Sequence, residues 1–255
     1  MTAVVLALIG VSAGLLGSLM GVGGGIIVVP ALSELYGIPF REAVAVSLVV
    51  IIANSSASAA AYVERGASDL RVGVVLELAT VSGAILGSAV AGLAPVRTLK
   101  LLFAAVALYS AVSLWLRRHG TSEAQVVGAY QVKGWGPGLS VSAAAGALSG
   151  LLGIGGGVFK MPVMTLAMGI PFKVAAATSN FMIGVTAAAG AYVYWGRGEV
   201  NAALAAPVVV GTFVGARLGS SLLAKLPAKR LQVAFAGILV FLGGRMVWSV
   251  LGGPG

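Results

Sequence analysis

Along this chain apolar residues run on for whole helix lengths, and polar residues come in brief clusters between them. Residues 3–33, 134–159 and 174–196 carry no charge, and each run is longer than the about 20 helical residues needed to cross a ~30 Å hydrocarbon core. The pattern predicts an all-α polytopic membrane protein. In the first half apolar segments fall at about 3–20, 26–36, 43–63, 71–93 and 98–116, and in the second at about 137–152, 158–168, 174–195, 200–224 and 229–250. The segments 26–36 and 158–168 differ from the rest, because so short a helix reaches only about 16 Å, half a bilayer.

The two sets of segments are copies. GLLGSLMGVGGGIIVVPALSELYGIPF at 14–40 returns as GALSGLLGIGGGVFKMPVMTLAMGIPF at 146–172, and the same ungapped offset of 132 pairs Ser47 with Ser179, Tyr62 with Tyr194, Arg65 with Arg197 and Ser88 with Ser220. The chain divides into a first repeat (1–117), a polar linker (118–133) and a second repeat (134–255). If 1–36 make one long crossing, the repeats are parallel and basic residues divide evenly between the two sides. If each glycine cluster is instead the apex of a re-entrant hairpin, each repeat is a hairpin plus three transmembrane helices, and the second repeat is inverted. One side then collects Arg65, Arg71, Arg117, Arg118, Lys133, Lys173, Lys225, Lys229 and Arg230, while the other holds Arg41, Arg97, Lys100, Arg197 and Arg245. Lys and Arg gather on cytoplasmic loops. The inverted arrangement is therefore expected, with both termini outside.

Composition narrows the chemistry. Hydrophobic residues make up 59% and charged residues 9%, with a mean hydropathy of +1.04, against roughly 25% charged in soluble domains. The 38 glycines suit tightly packed or broken transmembrane helices. With no cysteine, disulfides, thiolate metal sites and iron–sulfur ligation are excluded. The lone His119 falls in the linker, so neither a metal nor a cofactor is expected. The net charge of +9 is assigned to loops facing anionic lipid rather than to nucleic acid, since there is no long basic tract. The lack of a nucleophile with a matched acid–base partner argues against an enzyme.

The clusters GVGGG at 21–25 and GIGGG at 153–157 carry the chief candidate chemistry. Broken helix inside a membrane is tolerated only where it is buried in protein or lines a cavity. Each cluster leads into a half-length helix whose first N–H groups and positive dipole end point to mid-membrane. Two such ends make an anion site at Gly23, Gly24, Gly25, Gly155, Gly156 and Gly157; the alternative is that the glycines serve close packing. Asn54, in a polar cluster with Ser55, Ser56 and Ser58, either lines the substrate path or joins helices. Lys160 either draws an anion inward or snorkels or forms an ion pair. Glu77 is a proton carrier or a counter-ion for Lys160 or Arg217, and Arg217 is a contact residue or snorkels. Tyr62, Tyr194 and Trp195 read as interfacial anchors.

The GxGGG motif, the proline five residues later, GIPF and an Ala- and Ser-rich helix, all in two copies, together with ATSNF at 177–181, resemble the sulfite exporter TauE/SafE family of membrane permeases. The resemblance implies transport of small sulfur-containing anions such as sulfite, sulfonates or thiosulfate across a prokaryotic inner membrane. It adds Ser47, Thr178, Ser179 and Asn180 to the substrate-binding candidates. Val46 and Leu48 occupy the first-repeat positions of Thr178 and Asn180, so an asymmetric polar site is expected. The expected mechanism is alternating access around the paired motifs, with a small anion and the lipid bilayer as partners, driven either by coupled protons or by facilitated diffusion. The alternatives are an anion channel or a non-transporting structural subunit.

Overall fold

The computed structural model describes residues 3–116, 130–222 and 228–252, and its regular structure is entirely helical. The first repeat contributes α1 (Ala3–Met20), α2 (Gly25–Pro30), α3 (Phe40–Glu64), α4 (Leu70–Ala91) and α5 (Val96–Leu116). The second contributes α6 (Trp135–Leu152), α7 (Gly157–Pro162), α8 (Phe172–Gly196), α9 (Ala202–Leu222) and α10 (Ala228–Leu251). Among the described residues six helices are long and apolar enough to cross a membrane: α1, α3, α4, α5, α8 and α9. Arg117, Arg118, His119, Lys225 and most of the polar linker lie outside the described residues.

Prolines shape the short elements. Pro30 and Pro162 close α2 and α7, and a proline neither donates to the carbonyl four residues back nor leaves room for it. Past each proline the chain widens into a π-helical turn, Ala31–Leu35 and Val163–Ala167. Gly37 (φ 66°) and Gly169 (φ 72°) then redirect the chain, and Pro39 and Pro171 precede the first turns of α3 and α8. At the other loops Asp69 and Asn201 cap α4 and α9, accepting the N–H of Val72 at 3.1 Å and of Ala203 at 3.1 Å.

Small residues determine how the long helices meet. A Cβ at Gly10 or Gly14 of α1 would strike the carbonyl of Val208 or Thr212 in α9, and one at Gly215 would strike that of Val11. The same fit joins α4 and α6, where Gly83 abuts Ala143 and Gly146 abuts Thr80. Backbones this close gain dispersion contacts that lipid cannot replace. Both pairs run parallel. At the centre α3 and α8 cross antiparallel, since Leu48 meets Gly190, Ser55 meets Gly184 and Ser58 reaches Asn180. α5 packs on α10.

Polar side chains tie the helix ends together at two faces. At one face Arg65 donates to the Ser220 carbonyl at 3.1 Å, and Tyr130 donates to Asp69 at 2.7 Å. At the other, Arg41 donates to the Ala94 carbonyl at 2.9 Å, Arg197 to that of Ser88 at 2.6 Å, and Lys100 pairs with Glu34 at 2.8 Å. Arg65, Arg71, Lys133 and Lys173 fall at the first face. Arg41, Arg97, Lys100, Arg197 and Arg245 fall at the second, where α1 begins and α10 ends.

Candidate functional site

The site is built from two hairpins. Lys133 N–H donates to the Met168 carbonyl at 3.2 Å, and Gly138 faces the Met168 side chain. The chain that climbs α6 thus comes back through α7 to the level where α6 began. At the turn Gly156 lies against Ala145, partway along α6, just as Gly24 lies against Ala13 of α1. The N-termini of α7 and α2 therefore lie well inside the span.

Glycine is required here for both its conformation and its size. Gly21, Gly23 and Gly24 have φ of 67°, 86° and 80°, and Gly153, Gly155 and Gly156 have 67°, 82° and 70°, a region that side-chain-bearing residues avoid. Gly25 and Gly157 have no positive φ but no room either: a Cβ on Gly25 would strike the Gly153 carbonyl, and one on Gly157 that of Gly21. The two tips therefore touch each other. Neither Gly24 nor Gly156 brings a side-chain cap to the helix that follows. The first amides of α2 and α7 have no intrahelical acceptor and are what such an arrangement can offer to an anion.

Each tip is held by the opposite repeat. Ser47 Oγ donates to the Gly153 carbonyl at 2.8 Å, and Ser179 Oγ donates to the Gly21 carbonyl at 2.7 Å. Carbonyls in the last turns of α1 and α6 are satisfied symmetrically, each by a tyrosine of its own repeat. Tyr62 donates to Ser18 O and Tyr194 to Gly150 O, each at 3.1 Å. This corrects the interfacial reading of both tyrosines: they are buried, because a helix ending inside the span leaves carbonyls that must find donors in protein. Trp195 is exposed, as an anchor would be.

The remaining candidates divide into those at the tips and those elsewhere. Asn180 donates to the Ser18 carbonyl at 2.9 Å, and its own carbonyl accepts from Ser55 at 2.5 Å. Thr178 accepts the Asp69 N–H at 2.9 Å, which ties α8 to the start of α4. Lys160 is fully buried in the first turns of α7, where its ammonium meets Glu77 Oε2 at 3.3 Å and Thr186 Oγ1 at 3.1 Å. Thr186 in turn donates to Glu77 Oε1 at 2.6 Å. Arg217 is exposed on α9, apart from this cluster. Asn54 is fully buried, and neither polar atom of its side chain has a partner among the described residues. It stands at the repeat position of Thr186.

Sequence reasoning missed Ser149. Its hydroxyl is buried without a partner among the described residues, and its Cβ is among the nearest atoms to a Cβ placed on the α7 cap at Gly156. The available signal was the repeat itself, since Ser149 replaces Gly17. The tips, Ser47, Asn54, Lys160 and residues 178–180 are all buried, so the arrangement is closed toward both faces.

The reciprocal serines generate a prediction. Ser47→Ala and Ser179→Ala each leave a buried carbonyl without its donor, and each should destabilise the protein by about 1–3 kcal/mol. Ser56→Ala, whose hydroxyl bonds only within its own helix and is exposed, should change little. Thermal melts in detergent compare them, and unaltered melting of both buried-site variants would show that these bonds do not hold the tips.

Comparison with known proteins gives the family. The family described as "Sulfite exporter TauE/SafE" matches residues 6–246. The probable membrane transporter protein YunE of Bacillus subtilis is 28% identical, covering 98% of each chain. The probable membrane transporter protein MJ0441 of Methanocaldococcus jannaschii is 26% identical, covering 93% of this chain and 92% of its own. No solved structure matches the chain. With a family match over nearly its whole length and six helices among the described residues long and apolar enough to cross a membrane, the chain belongs to the TauE/SafE sulfite exporter family and is a multi-pass membrane transporter.

Proposed function

We propose that the protein carries small sulfur-containing anions, such as sulfite, sulfonates or thiosulfate, by alternating access around the paired glycine tips. The observation that carries this reading is the reciprocal contact of two broken helices inside the span, each presenting uncapped N–H groups. Helix N-termini attract anions through oriented amides and a positive dipole end, and this needs no exposed cation in the membrane. The buried, unpartnered Ser149 hydroxyl beside Gly156 and the unpartnered Asn54 amide add polar groups suited to an oxyanion. Burial of the whole set supports an occluded state, from which either face opens by movement of one repeat against the other. Gly23–Gly25 and Gly155–Gly157 with Asn54 and Lys160 would then be the contact groups. Ser47, Ser179 and Asn180 would hold the tips and exchange partners as the site opens.

The same reading assigns the membrane orientation. The antiparallel crossing of α3 and α8, which are repeat mates, supports an inverted pair of repeats. The basic residues near the linker face support placing that face in the cytoplasm of a prokaryotic cell and both termini outside. A reporter fused after residue 255 should read as external; a cytoplasmic reading would contradict the orientation.

Flux into proteoliposomes tests the substrate reading with a panel of sulfite, thiosulfate, methanesulfonate, sulfate and chloride. Saturable uptake of at least one of the first three, in preference to chloride, is the expected outcome. Gly156→Leu should abolish that uptake in protein that still elutes as a folded species, because a side chain there is strained at φ 70° and crowds the Ala145 carbonyl. Gly136→Leu, with open space around it, should transport normally. Wild-type affinity in folded Gly156→Leu protein would remove the tip from the site.

A further inference from the structure

The Glu77–Lys160–Thr186 cluster belongs to one repeat only. At the matching positions of the other repeat stand Val209, Val28 and Asn54, so the fold does not need these charges to hold its two halves together. Elsewhere symmetric bonds join the repeats: Ser47 and Ser179, and Arg65 and Arg197, each repeat their partner's contact across the boundary. A buried ion pair adds little stability for its desolvation cost. Ionisable groups inside a span are expensive, and by default they mark function.

The geometry of the cluster is that of an occupied anion site. The Glu77 carboxylate accepts one hydrogen bond from the Lys160 ammonium and another from the Thr186 hydroxyl. With Glu77 ionised and Lys160 protonated, the empty site is neutral. An anion entering alone would leave an uncompensated negative charge in the membrane interior, whereas a proton added to the Glu77 carboxylate cancels one unit of it and releases the ammonium and hydroxyl.

Resting on the anion-transport reading, we propose that Glu77 is the proton site of an anion–proton symport: one proton binds the Glu77 carboxylate for each anion that replaces it on Lys160 and Thr186, and both leave together. No covalent bond changes. The proton moves from water to a carboxylate oxygen and back, and Lys160 stays an ammonium throughout. Few other groups bear on this exchange. α6 carries no ionisable side chain, α4 otherwise carries only Arg71, and α8 carries Lys173 near its start and Tyr192 and Tyr194 near its end. Arg71, Lys173 and Tyr192 are exposed, and the Tyr194 hydroxyl is engaged with Gly150. On α5, Tyr109 stacks on Phe159 at 5.6 Å. Asp69, at the start of α4, is bonded to Tyr130. Anion affinity should therefore rise as pH falls and the Glu77 carboxylate is protonated.

The test uses thiosulfate and methanesulfonate, which do not titrate near neutral pH, with full-length protein in liposomes containing a pH-sensitive dye. Wild type should acidify the lumen by about one proton for each anion taken up. Glu77→Gln, shaped like the protonated acid, should take up anion without proton and without response to a pH gradient. Lys160→Gln should bind anion about ten- to hundredfold more weakly, as loss of a charge-assisted contact predicts. Should Glu77→Gln not fold, calorimetric titration of wild type in two buffers of different ionisation heat reads the same quantity, and uptake of about one proton per anion is expected. Wild-type anion uptake with no proton movement overturns the symport, as does proton uptake that persists in Glu77→Gln. Uptake of no anion in the wider panel fails the transport reading itself, and the symport with it.

Discussion

Backbone that leaves the helix inside a membrane has no water to satisfy it, and every other feature of the centre answers to that constraint. Four helix ends lie within the span: the C-termini of α1 and α6 and the N-termini of α2 and α7. The carbonyl ends find donors in the opposite repeat or on neighbouring helices, through Ser47, Ser179, Tyr62, Tyr194 and Asn180. The amide ends find no side-chain cap. That imbalance is the physical core of the functional reading. Carbonyls are closed off by protein, and the groups left to be filled are donors, which favour an anion.

Two-fold repetition makes this possible at low cost in special residues. Because each tip packs on the other, one motif of glycines serves both as the donor surface and as the space for its partner's backbone. Parallel pairing of α1 with α9 and of α4 with α6 lets glycine meet carbonyl along whole helices, and it fixes the height of each tip relative to the other. The departures from symmetry carry as much meaning as the symmetry. Thr178, Asn180, Lys160 and Glu77 occur in one copy and are replaced by Val46, Leu48, Val28 and Val209 in the other. On the proposed reading, recognition of substrate and of the coupled proton would be concentrated on one flank of a scaffold that both repeats share.

Much of this was legible in the chain. Helix spans follow from uninterrupted apolar runs, and the ends of α1, α5 and α6 fall where charge or glycine predicts them. The repeat at offset 132 exposed the short segments, and so the hairpins. What could not be read was partnership. Lys160 and Glu77 lie 83 positions apart in sequence; the sequence named each as a candidate partner of the other, but nothing local chose that pairing over Arg217 or snorkelling. Tyr62 and Tyr194 have the composition of interfacial anchors, yet their hydroxyls cap helix ends across 44 residues. Ser149 looked like one small residue among many. Only its place beside Gly156, and the absence of a partner for its hydroxyl among the described residues, set it apart.

The central claim is that the anion rests where the two broken helices meet. Selenite has the shape of sulfite and carries a strong anomalous scatterer, so diffraction at the selenium edge from crystals grown with it locates the ion without reference to any variant. The account predicts a peak between the first amides of α2 and α7, on the Lys160 side of the crossing and within hydrogen-bonding reach of the Gly156–Val158 backbone. Selenium density confined to exposed basic residues at the two faces, with none at the tips of a protein that transports the ion, would contradict it.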